Sequence, residues 1–158
     1  MRLRLAALGV VSLLLLAGTS TPASAGATCG AAACATATLV GIGDGCAVAG
    51  SGYNCFYKFH ADYSGASVIP EGRADAQVNI YPPGSSLGPF WSSCTWLVGG
   101  CASSYYAPYT DGTDAFEYLG RCTEETVYAY LDVTTSVQGV AVATASDSSW
   151  VTLTSPCP

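Results

Sequence analysis

"YNCFYKFHADYSG", residues 53–65, decides how the rest of the chain is read. Tyr53, Cys55, Tyr57, Phe59, Ala61 and Tyr63 alternate with Asn54, Phe56, Lys58, His60 and Asp62. A period of two sends successive side chains to opposite faces of an extended strand. The first set predicts a core face and the second a solvent face. The stretch also holds the only histidine and the only lysine of the chain, which invites a catalytic reading. Same-face neighbours on a strand stand roughly 6.5–7 Å apart, so the spacing does not force His60 onto Asp62. A catalytic base also needs a nucleophile or a positioned water within reach, and nothing local supplies one. Lys58, His60 and Asp62 are therefore read as the polar side of a long central strand.

The same alternation recurs on both sides. In Arg73–Tyr81, Ala74, Ala76, Val78 and Ile80 share one face, and Pro82-Pro83-Gly84 ends the run. In Glu124–Val137, Val127, Ala129, Leu131, Val133 and Val137 point inward, while Tyr128 and Tyr130 point outward. Gln138-Gly139 offers a turn into "VAVATA" (140–145). Asp147-Ser148-Ser149 reads as a second turn before "WVTLT" (150–154), so three strands form a meander. Upstream, Thr36–Ile42 reads as a strand with Gly43-Asp44-Gly45 as its turn, and Phe90–Val98 as another, closed by Gly99-Gly100. Asp114–Leu119 fits a short strand or, with Asp114 and Glu117 as a capping box, a turn or two of helix. Seven to nine strands at such spacing predict an all-β, two-sheet antiparallel β-sandwich, immunoglobulin-like in topology, with a small closed β-barrel as the alternative. Trp96 or Trp91 is the expected core tryptophan.

Residues 1–25 carry the signature of a cleaved secretory signal peptide. Arg2 and Arg4 precede the apolar run Leu5–Ala17, and Ala23-Ser24-Ala25 supplies small residues at the cut. The run is shorter than the ~20 residues a spanning helix needs, so no transmembrane segment is expected. Residues 26–158 are then one domain. In it three basic residues against eleven acids leave a formal charge of −8, which argues against nucleic acid as a partner. Cys29, Cys34, Cys46, Cys55, Cys94, Cys101, Cys122 and Cys157 all fall in this domain. An even count in an exported chain predicts up to four bridges, and the sequence leaves their pairing open. No C-x-x-C occurs and one histidine cannot complete the usual zinc patterns, so neither metal nor cofactor is expected.

Two motifs fail on context. Gly84-Ser85-Ser86-Leu87-Gly88 matches G-x-S-x-G, but Pro89-Phe90-Trp91 follows where a nucleophile elbow needs a helix. Asp111–Asp114 offers oxygen ligands for calcium without the order of an EF-hand loop. More suggestive is "SSYYAPYTDGTD" (103–114), where Tyr105, Tyr106 and Tyr109 lie among Ser, Pro, Gly and Asp. Tyrosines in such a loop supply large, stiff contact area at low entropic cost. Tyr105, Tyr106, Tyr109, Asp111 and Asp114 are the predicted binding residues, with Tyr128 and Tyr130 as an extension of the same patch. The resulting expectation is a secreted, non-enzymatic sandwich that recognises a protein or a glycan through this loop. A hydrolase inhibitor acting through the Cys94–Cys101 segment, or a structural cell-surface component, is the alternative.

Overall fold

A computed structural model describes residues 26–108 and 114–157. The signal-peptide reading, Tyr109 and Asp111 lie outside the described residues. Nine strands run in chain order: β1 (Gly26–Cys29), β2 (Ala33–Ala49), β3 (Gly52–Ser67), β4 (Gly72–Tyr81), β5 (Leu87–Trp96), β6 (Gly99–Ala107), β7 (Ala115–Leu119), β8 (Glu124–Val137) and β9 (Val140–Thr154). They form two antiparallel sheets. The first has the order β1-β2-β3-β6, with β7 also on β3, and the second has the order β5-β4-β8-β9. Among the described residues no helix is long and apolar enough to cross a membrane.

The core lies between the sheets, and the period-two faces build it. Cys55, Tyr57, Phe59 and Ala61 of β3 are fully buried, as are Ala74, Ala76, Val78 and Ile80 of β4 and Val127, Ala129 and Leu131 of β8. Trp96 is the buried tryptophan at 6% exposure, whereas Trp91 is 63% exposed. The Trp96 indole lies against two glycines. A Cβ on Gly72 would come 2.1 Å from Trp96 Cζ2, and one on Gly65 would come 3.3 Å from Cζ3.

Two local readings are corrected, and one left open between strand and helix is decided. Gly43-Asp44-Gly45 is not a turn but a β-bulge inside the long strand β2, where Gly43 pairs with Tyr57 and Gly45 with Phe56. Asp44 is the extra residue, and Gly45 takes the positive φ of 89° that the bulge requires. The bulge shifts the phase of β2 by one residue, which turns Cys46 toward Cys55 on the inner side. Asp147-Ser148-Ser149 is likewise not a turn. It continues β9 against β8, with Leu131 opposite Asp147 and Ala129 opposite Ser149. The expected three-strand meander is therefore one long hairpin, closed at Gln138 (φ 50°) and Gly139 (φ 79°). Ala115–Leu119 is a strand, since its residues complete the ladder of β3 where β6 has left it.

Asp147 explains its own placement. β1 covers β2 only from Cys34 to Ala37, so the next outward N–H groups of β2 need other acceptors. The Leu39 N–H donates to Asp147 Oδ2 at 2.7 Å, and the Gly41 N–H donates to Ser149 Oγ at 3.0 Å. Asp147 Oδ1 accepts the Ser148 N–H at 2.8 Å. Side chains of the second sheet thus finish the edge of the first. Thr135 Oγ1 adds another tie between the sheets by donating to the Cys34 carbonyl at 3.0 Å.

All eight cysteines pair, each with its neighbour in sequence: Cys29–Cys34, Cys46–Cys55, Cys94–Cys101 and Cys122–Cys157. Cys94–Cys101 joins β5 to β6 and so links the two sheets. Cys122–Cys157 spans 35 residues and Cys29–Cys34 only 5. Loop-closure entropy then makes the first worth about 4 kcal/mol and the second about 2 kcal/mol. Replacing Cys122 and Cys157 together by serine is expected to lower the denaturation midpoint more than replacing Cys29 and Cys34, as measured by urea unfolding.

Candidate functional site

The outer face of the first sheet gathers the rare residues of the chain. The broken edge of that sheet arranges them. β6 pairs with β3 from Ser67 to Phe59, and β7 pairs with it from Tyr57 to Tyr53. Between them the chain leaves the ladder beside Lys58 and returns through Asp114. Lys58 Nζ lies 2.6 Å from Asp44 Oδ2 and 3.4 Å from Asp114 Oδ1. The bulge of β2 delivers one carboxylate and the end of the 108–114 segment delivers the other.

Tyr106 stands directly opposite His60 on this face. Their rings are 4.7 Å apart with planes 31° from parallel, and Lys58 Nζ lies 5.8 Å from the Tyr106 centroid. His60 Nδ1 is 3.6 Å from Asp62 Oδ2. Farther along, Phe56 packs on Phe116 at 5.9 Å, and the Tyr118 hydroxyl meets Ser51 Oγ at 3.2 Å. Tyr106, Phe116 and Tyr118 are each about half exposed, at 47%, 55% and 51%, so the row of rings presents to solvent.

The carboxylate of Asp44 is held below its ordinary range, chiefly by its hydrogen bond to Lys58. The Lys58 ammonium is held above its ordinary value, chiefly by the hydrogen bond to Asp44. The Asp44 contribution is present above the carboxylate's unfolded value and fades as pH falls through the lowered one. That of Lys58 is present below the ammonium's unfolded value and fades as pH rises through the raised one. Both partners are charged throughout the neutral range, so the network is a fixed feature of the face rather than a proton carrier.

The predicted binding residues separate. Tyr106 and Asp114 meet at Lys58. Tyr105, one residue before Tyr106, points to the opposite side of β6, where its hydroxyl donates to the Phe90 carbonyl at 3.1 Å and its ring meets Tyr63 edge-on at 6.1 Å. Burial pushes its phenol up. Tyr128 and Tyr130 do not extend the Tyr106 patch, because β8 belongs to the second sheet. Ser86 lies between two strands, β4 and β5, so the helix that a nucleophile elbow needs is not there. Among the described residues no group of three or more His, Cys, Asp or Glu side chains is placed to hold a metal ion.

Three participants escaped the sequence reading. Asp44 was hidden in what looks like a glycine turn, although a lone acid between two glycines also fits a bulge. Phe116 and Tyr118 sat in a segment of ambiguous period, and only the ladder with β3 gives them a face. The search of protein-family models, that of curated proteins and that of solved structures each returned no match.

Proposed function

We propose that this chain is an exported, non-enzymatic recognition protein that binds a partner protein through the outer face of its first sheet, around Tyr106. The observation that carries this reading is the packed set Tyr106, His60, Lys58, Asp44 and Asp114, flanked by the half-exposed Phe116 and Tyr118. Aromatic rings held rigidly beside fixed charges, with aliphatic Val40 and Ile42 on the neighbouring strand, have the chemistry of a protein-binding hot spot. Export is supported by the leader-like residues 1–25 and by eight cysteines without a free thiol. An immunoglobulin-like topology is supported by strand order. In that reading β2, β3 and β6 correspond to strands A, B and E, and β5, β4, β8 and β9 to C′, C, F and G.

The test is capture from secreted and surface proteins of the producing cell, by the parent protein and by Tyr106→Ala combined with Phe116→Ala. A true partner of this face binds the double variant at least about tenfold more weakly. A partner that binds both equally overturns the reading. A second reading rests on the connection between β5 and β6, which crosses from one sheet to the other. Its tip exposes Leu97 (76%) and Val98 (84%) inside the loop closed by Cys94–Cys101, as an inhibitory loop would. Inhibition of a secreted hydrolase that disappears in Leu97→Asp would favour it.

A further inference from the structure

The opposite face of the molecule is built differently, and we infer that it is a binding platform for an uncharged polysaccharide. The outward residues of β4, β5, β8 and β9 form a grid fixed by register. Tyr81, Tyr128 and Trp150 stand in one row across three strands. Asn79, Tyr130 and Ser148 make the next row, and Trp91, Gln77, Asp132 and Ser146 the one after. With strands about 4.8 Å apart, the first row lays three rings over about 10 Å, and the rows follow at roughly 7 Å. All five rings are 44–63% exposed.

Three features select the ligand. First, the three rows contain aromatic rings and small polar groups but no aliphatic side chain, unlike the first sheet, where Val40 and Ile42 join the rings. A sugar ring is recognised by this combination. Its C–H face lies on an aromatic ring, and its hydroxyls take hydrogen bonds from amides, carboxylates and hydroxyls. Second, the polar groups are held in position. The Gln77 side-chain amide donates to Asn79 Oδ1 at 3.2 Å, and Tyr81 and Tyr130 meet edge-on at 5.7 Å. Asn79, Tyr81, Tyr130, Asp132, Ser146 and Ser148 line a depression of about 430 Å³ beside the row of rings, large enough for a sugar unit to sit in. Third, the charge of the face excludes anionic polymers. Its cation, Arg73, is engaged by Asp75 at 2.5 Å, and Asp132 leaves a negative charge at the depression.

The experiment is co-sedimentation of the full chain with insoluble cellulose and chitin, and affinity electrophoresis in gels containing soluble β-glucan, xylan or polygalacturonate. Retention by at least one uncharged polymer, not by polygalacturonate, is expected. Tyr128→Ala with Trp150→Ala should weaken it at least about tenfold, and Asp132→Ala should also weaken it. These side chains are exposed, so the variants should keep the parent's circular dichroism and melting temperature. Tyr106→Ala, on the other sheet, should bind the polymer as the parent does, which separates this platform from the protein-binding face. The inference is overturned if the parent is retained by no uncharged polymer, or if the double variant is retained equally. Retention lost on raising salt roughly tenfold overturns it too, since that marks a cationic ligand held by Asp132.

Discussion

Asp147→Ala is expected to lower the stability of the fold by about 3 kcal/mol. The substitution removes a carboxylate that accepts the Leu39 N–H at 2.7 Å from the other sheet. A hydrogen bond to a charged group contributes about 1.5–3 kcal/mol, and the N–H left behind is buried, because Leu39 is fully enclosed. Asp147→Asn separates the two contributions. Its amide oxygen can still accept the Leu39 N–H, so it should lose roughly half as much. Urea unfolding of the three proteins measures this directly. Equal stability of Asp147→Ala and the parent would mean that the side chain only fills space. Hydrogen exchange gives a local check, since the Leu39 amide should lose protection in Asp147→Ala even under conditions where the rest of β2 stays protected.

The second large effect is at Trp96. Truncation to alanine should cost about 3–5 kcal/mol, the usual range for a buried aromatic, because the glycines beneath cannot fill the space. Trp96→Phe should cost much less than its lost volume suggests. The indole Nε1 has no hydrogen-bond partner among the described residues, so phenylalanine removes an unsatisfied buried donor along with the second ring. A valine at Gly72 tests the same contact from below. Its Cβ would sit 2.1 Å from the indole, and the strand or the ring must move, at a cost of about 1–3 kcal/mol. Combined with Trp96→Ala, Gly72→Val should destabilise less than the sum of the two, since each relieves the fault of the other. Strict additivity in thermal unfolding would show that the two residues do not share this contact.

The strands were legible wherever alternation was strict. β3, β4 and β8 each carry a largely apolar set on one side, broken in β8 by Thr135, and all three are central in their sheets. The errors fall where polar residues imitate turns. Asp147, Ser148 and Ser149 have turn composition, yet they serve as acceptors for a strand edge that no ladder covers. Gly43-Asp44-Gly45 has turn composition, yet it resets the phase of a strand. In both cases the deciding partner is more than 10 residues away, at Leu39 for Asp147 and at Lys58 for Asp44. No local signal carries that information. The candidate site was legible in part for the same reason. Tyr106 and Asp114 could be picked out by composition, and Lys58 and His60 by rarity, but their meeting depends on β6 and β7 sharing one neighbour.

That shared neighbour has an engineering consequence. Ala107 pairs with Phe59 and Ala115 with Tyr57, so the two ends of the connection are held two residues apart on one neighbour, on either side of Lys58. Its two feet lie in line along the edge of β3, roughly 6.5–7 Å apart from the rise of two strand residues. Closing a longer loop between fixed feet costs only about 0.6 kcal/mol for each doubling of its length. The segment from 108 to 114 is therefore a natural graft point. Foreign peptides of varied length can be installed there without changing the register of either flanking strand, which would let the domain serve as a disulfide-stapled display scaffold.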